Sequence, residues 1–111
     1  MTTYMVQFAY TPEAWIALSK SPQDRTAAVQ ELAEKAGCRF EALYYSFGEY
    51  DGFVLVEAPN ETTVTAFAVA ALSPGHIRAI KTTVVMHPAD VVEALKKAGT
   101  LPYAGPQASA R

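Results

Sequence analysis

The spacing of apolar positions changes several times along the chain, and most changes fall at a proline or glycine. Residues 3–10, Thr-Tyr-Met-Val-Gln-Phe-Ala-Tyr, are rich in aromatic and β-branched types and read as a first strand. Thr11-Pro12-Glu13 then has the grammar of a helix start: a hydroxyl cap, Pro at the first helical position and an acid in the first turn. Ser21-Pro22-Gln23-Asp24 repeats it, so a short helix near 12–19 and a longer one near 22–36 are expected. Ala28, Val29, Leu32, Ala33 and Ala36 form the apolar stripe of the second, and Gly37 ends it. Two strand-like runs, 38–47 and 50–58, flank Gly48-Glu49. This is a hairpin signal, with Gly-X suited to a tight II′ turn of two or three residues. Asn60 can cap a helix carrying Val64, Phe67, Ala68, Ala71 and Leu72, which Ser73-Pro74-Gly75 closes. Residues 76–86 read as a fourth strand. His87-Pro88 opens a last helix near 88–98, with Val91, Val92 and Leu95 inward and Lys96-Lys97 complementing the helix dipole.

The order β-α-β-β-α-β with an added C-terminal helix predicts an α+β, ferredoxin-like fold over residues 1–99, helices covering one face of an antiparallel sheet. Residues 100–111 form a tail that is loose or lies across a neighbour. Neither sheet face is polar, however. One parity of the first strand gives Tyr4, Val6, Phe8 and Tyr10, and the other Met5, Gln7 and Ala9. The third strand sets Val54 and Val56 against Phe53 and Leu55, and the fourth sets Ile80 and Val84 against Ile77, Ala79 and Val85. Two helical stripes cover only one face, so a second copy of the chain, in a homodimer or higher homo-oligomer, is expected to cover the other.

Composition narrows the picture. The chain has 111 residues, of which 50% are hydrophobic and 18% charged, with a formal net charge of −2. One domain fits that length, and the balance disfavours disorder and charge-driven nucleic-acid binding. No apolar run approaches a membrane span, and the start Met1-Thr2-Thr3-Tyr4 lacks the pattern of a signal peptide. A single cysteine, Cys38, makes no internal disulfide, and a reducing, cytoplasmic setting is expected.

Tyr44-Tyr45-Ser46-Phe47-Gly48-Glu49-Tyr50-Asp51, with Tyr4–Trp15, Val56-Glu57-Ala58-Pro59 and Lys81-Thr82-Thr83, resembles the GYD family of small bacterial and archaeal proteins. Its Gly-x-Tyr-Asp motif is Gly48, Tyr50 and Asp51 here. The resemblance spans roughly residues 3–98 and implies a dimeric α+β barrel, in a family with no agreed biochemical role. Gly52-Phe53 stands where a β-branched run is commoner in that family. More weakly, the motif and the elements after it are similar to the ligand-sensing domain of the Lrp/AsnC regulators, without their helix-turn-helix.

The polar residues give candidates for a site. Gly48 suits the tight turn, and Tyr50 and Asp51 suit its anchoring, the carboxylate accepting backbone N–H groups. Tyr44 and Tyr45 point to opposite faces, and a phenol lining a cavity can both pack and hydrogen-bond. Trp15 can plug the core or wall a pocket. His76 is a candidate acid/base group. Lys81, mid-strand, is placed to pair with Glu57 or Asp51 or to meet an anionic ligand. Trp15, Tyr44, Tyr45, Asp51, His76 and Lys81 are therefore the ligand-binding candidates. No metal site and no cofactor is expected: His76 and His87 are separated by roughly 30 Å of strand, and no Cys/His cluster has metal spacing. Arg39 beside Cys38 points to the other face, so a nucleophilic role for the thiol is not expected. Three functions follow: a small-metabolite binder, a cofactor-free monooxygenase or isomerase using Tyr–His or Tyr–Lys pairs, and a structural or assembly protein.

Overall fold

The computed structural model describes residues 1–107. Four strands, β1 (Thr2–Tyr10), β2 (Arg39–Tyr45), β3 (Gly52–Ala58) and β4 (Ile77–Val85), form one sheet in the order β2-β3-β1-β4. All three pairings are antiparallel. Helices α1 (Pro12–Lys20) and α2 (Thr26–Ala36) join β1 to β2, α3 (Glu61–Leu72) joins β3 to β4, and α4 (Pro88–Ala98) follows β4. This is the α+β, ferredoxin-like arrangement that the alternation of elements predicts.

Local chemistry accounts for the boundaries. Thr11 caps α1, its Oγ1 accepting the Ala14 N–H at 3.1 Å, and Asn60 caps α3 through the Thr63 N–H at 2.9 Å. Gly37 closes α2 at φ 98°, a left-handed conformation that side chains resist. Three expectations are corrected here. Ser21-Pro22 starts no helix: α2 begins at Thr26, because Asp24 Oδ1 accepts the Thr26 N–H at 2.9 Å and Ser21–Arg25 remains a loop. The hairpin loop is longer than two or three residues, since Tyr45 pairs with Gly52. Nor does Gly48 supply a left-handed turn residue; Phe47 does, at φ 52°.

The core lies between one sheet face and helices α2 and α3. Tyr4, Val6, Phe8, Val54 and Val56 from the sheet meet Ala33, Val64 and Phe67 from the helices. Two bulges adjust which side chains reach it. Phe40 pairs with Val56 and Ala42 with Leu55, so Glu41 is extra and Phe40 and Leu43 both pack inward. On β4, Ala79 pairs with Ala9 and Ile77 with Tyr10, so Arg78 is extra. Ile77 therefore joins Ile80 against the core, where simple alternation puts them on opposite faces.

The other sheet face is built from a different register. Tyr44, Phe53, Gln7 and Lys81 form one row across the four strands, with Met5 and Leu55 beside it. None of the six is buried. Helix α4 also departs from expectation. It has no buried residue, and Val91, Val92 and Leu95 are 39%, 48% and 65% exposed rather than turned inward. It projects from the sheet, giving the chain principal extents of 67 × 32 × 21 Å. The tail from Thr100 to Gln107 has no regular structure and is exposed; the end of the expected loose tail, residues 108–111, lies outside the described residues.

Candidate functional site

At one end of the sheet, on the helix-covered side, the last residue of β1 and the loop after β2 gather an aromatic cluster. Tyr10 and Trp15 meet edge-on with ring centroids 5.1 Å apart. Phe47 stacks on Trp15 at 5.6 Å and on Tyr45 at 6.0 Å. Tyr10 and Tyr45 share a hydroxyl–hydroxyl hydrogen bond of 3.2 Å. Phe47 is 70% exposed and holds a left-handed backbone that non-glycine residues avoid. Such strain is most often retained at functional positions.

The motif residues hold this end together. Asp51 Oδ2 accepts the Tyr10 N–H at 2.8 Å, and the Asp51 N–H donates to the Phe8 carbonyl at 2.8 Å. The loop is thereby clamped to β1. The Tyr50 carbonyl accepts the Ser46 hydroxyl and the Gly48 N–H, both at 3.0 Å. Gly52 lets the strands and the Phe8 ring close in: a Cβ there would lie 2.5 Å from the Tyr44 carbonyl oxygen and 2.7 Å from Phe8 Cζ.

On the far side of Tyr10 lies a cleft of about 340 Å³, walled by α1, α2 and the end of α3. Tyr10, Gln23, Arg25 and His76 supply its polar groups, and Ala14, Leu18, Val29 and Leu32 are among its apolar ones. Tyr10 thus stands between the aromatic cluster and the cleft. Burial raises its phenol well above the ordinary tyrosine value of about 10, and Tyr45 adds to this through the hydrogen bond and through repulsion between the two groups. The folded protein therefore keeps the Tyr10 proton longer than the unfolded chain does. This contribution to stability is complete below about pH 10 and is lost as the pH rises toward the folded-state value. A phenolate absorbance titration should find a tyrosine still protonated above the ordinary range, absent in Tyr10→Phe.

The sequence candidates divide between the two sheet faces. Trp15, Tyr45, Asp51 and His76 come together around Tyr10. Tyr44 and Lys81 stand at opposite ends of the row on the uncovered face and Tyr45 lies on the other face, so one chain brings Lys81 to neither tyrosine. Within one chain Lys81 pairs with neither Glu57 nor Asp51. Glu57 lies four residues along β3 from the Lys81 row and is bridged by Arg39 at 3.4 Å, and Asp51 is turned to Tyr10. Burial pushes the Cys38 thiol pKa up, which suits a packing role. Among the described residues no helix is long and apolar enough to cross a membrane, and no cluster of three or more His, Cys, Asp or Glu side chains could hold a metal ion. Sequence reasoning missed Tyr10, Phe47 and Arg25. The aromatic strand end at Tyr10 was a usable signal; Arg25 had none, because a helix start at Pro22 places it inside a solvated first turn.

The sequence matches the family model of the GYD domain over residues 4–95. The chain belongs to the GYD domain family. Among solved structures, this GYD domain is similar to MtbAldR, with a TM-score of 0.56 at 14% identity. The match covers 78% of this chain and 52% of MtbAldR, so the chain spans about half the length of that protein. The C-terminal domain of the MgtC protein from Mycobacterium tuberculosis gives a TM-score of 0.53 at 9% identity, over 78% of this chain and 90% of that one. The hypothetical protein PHS023 from Pyrococcus horikoshii gives 0.50 at 16%, over 78% and 92%. At these identities the likeness is one of fold. No curated protein matches the sequence.

Proposed function

We propose that this GYD domain is a homodimeric, small-ligand-sensing domain whose ligand binds at the Tyr10 end of the sheet. The observation that carries this reading is the cleft of about 340 Å³ beside Tyr10, which lies within the size range of small-molecule sites and combines apolar walls with a few polar groups. The aromatic cluster behind Tyr10 and the strained Phe47 support the same end of the molecule. The dimer reading is supported by two apolar surfaces that the chain does not cover itself: the sheet face bearing Met5, Tyr44, Phe53 and Leu55, and the Val91, Val92 and Leu95 stripe of α4.

The test is a panel of small carboxylates, amines, phenols, nucleosides and sugars, read by the fluorescence of Trp15 and by thermal unfolding. A ligand at about 100 times its Kd adds about 2.7 kcal/mol, roughly 10 °C in Tm at this chain length. At least one class is expected to saturate, and sizing at micromolar concentration is expected to give a dimer. A panel in which nothing binds overturns the ligand reading, and a clean monomer overturns the dimer.

A further inference from the structure

The cleft is chemically lopsided. An apolar throat of about 60 Å³ adjoins the wider part, sharing Tyr10, Val29, Leu32, Ala71 and Ile77 with it and reaching Phe67 in the core. The cleft's charged and amide side chains, Gln23, Arg25 and His76, line only the wider part. No Asp or Glu lines either region.

Arg25 is the decisive group. It is half-buried, and no carboxylate lies within 4 Å of it among the described residues. Its Nη1 donates to Gln23 Oε1 at 2.9 Å, and Gln23 Nε2 in turn donates to the Ser21 carbonyl at 3.2 Å. That chain orients the guanidinium while engaging one of its five N–H donors. The donors left over form a planar fork matched to a carboxylate. The departure of Ser21–Arg25 from the expected helix thus has a consequence: as a loop, it carries Gln23 and Arg25 to the cleft.

We propose that the cleft binds a small monocarboxylate with an aryl or branched-alkyl tail, the carboxylate on Arg25 beside His76 and the tail in the throat. This rests on the ligand-binding reading above and names its ligand class. Because no acid lines the cleft, an α-ammonium group finds no counter-charge there. An amino acid is therefore a poorer ligand than the same molecule without its amine.

The probes are 3-phenylpropanoate, 4-methylpentanoate, 3-phenylpropanamide and phenylalanine, titrated by Trp15 fluorescence and by backbone amide chemical shifts. The two carboxylates are expected to saturate and to move the amides of Gln23–Arg25 and His76–Ile77. The amide is expected to bind at least tenfold more weakly, as the loss of a charge-assisted hydrogen bond implies, and the amino acid likewise, because its ammonium gives up water without a counter-charge in the cleft. Arg25→Gln should weaken 3-phenylpropanoate at least tenfold and leave 3-phenylpropanamide within twofold. Arg25→Lys, which keeps the charge and loses the fork, should fall between. Equal affinity for acid and amide, unchanged binding in Arg25→Gln, shifts confined to Trp15, Tyr45 and Phe47, or no carboxylate binding at millimolar concentration each overturns the proposal. If the carboxylates fail while another class in the wider panel saturates, the ligand class falls and the sensing reading stands. If nothing in that panel binds, both fall.

Discussion

Gly52→Ala should destabilise the domain by about 3 kcal/mol, toward the upper end of typical overpacking costs. The added Cβ meets the Tyr44 carbonyl oxygen at 2.5 Å and the Phe8 ring at 2.7 Å. A ring can rotate away, but a backbone carbonyl held in the β2–β3 ladder moves only with its strand. Gly52 also sits between Tyr45 and Phe8 in one row of the sheet, so displacement at this point pushes apart the strands that position the aromatic cluster. With a urea m-value of about 1–3 kcal/mol/M, the midpoint should fall by roughly 1–3 M. The control is Gly48→Ala. Gly48 has no positive φ, and its added Cβ would meet only the Tyr50 carbonyl oxygen at 4.0 Å. It should stay within about 0.5 kcal/mol, as surface substitutions usually do. The glycine that belongs to the Gly-x-Tyr-Asp motif is thus expected to tolerate a side chain, while the glycine just after the motif is not.

That contrast marks how far the sequence could be read. The fold was legible because Tyr4, Val6, Phe8 and Tyr10 alternate cleanly on one face, and because Thr11, Gly37 and Asn60 stand where helices begin and end. The anchoring of the hairpin was legible in kind: Asp51 does accept a backbone N–H, although the donor, Tyr10, comes from another strand. What a linear pattern does not encode is an inserted residue. Glu41 and Arg78 each shift the alternation by one, which moves Leu43 and Ile77 to the core side. Ser21-Pro22 reads as a helix start on local grammar, but the side chain of Asp24 gives the backbone a competing hydrogen bond and moves the helix on to Thr26. Tyr44 and Lys81 failed to join Tyr45 for a simpler reason. Adjacent residues of a strand face opposite ways, and the side of the sheet that the helices occupy is decided by the whole core rather than by the motif.

Removing α4 and the tail, by ending the chain at Met86, should leave the unfolding midpoint of the monomer nearly unchanged and weaken self-association by more than roughly 100-fold. The first half follows from burial. No residue of α4 is buried, so its loss takes nothing from the core of its own chain. The second half follows from what an isolated helix can do. An 11-residue helix is marginal in water on its own, yet this one carries Val91, Val92 and Leu95 as an exposed stripe. In the homodimer proposed above, the partner supplies the apolar surface that stripe lacks. Full burial of such a side chain stabilises by about 1.5–3 kcal/mol, so even partial burial of three per helix exceeds the 2.7 kcal/mol or so that 100-fold represents. Sedimentation across a concentration series separates the outcomes. A truncated chain that dimerises as tightly as the full one shows that the open sheet face, with its Tyr44-to-Lys81 row, suffices by itself. A truncated chain with a markedly lower midpoint at concentrations where it is monomeric shows instead that α4 packs on the open face of its own sheet in solution, which leaves neither apolar surface free for a partner and overturns the dimer.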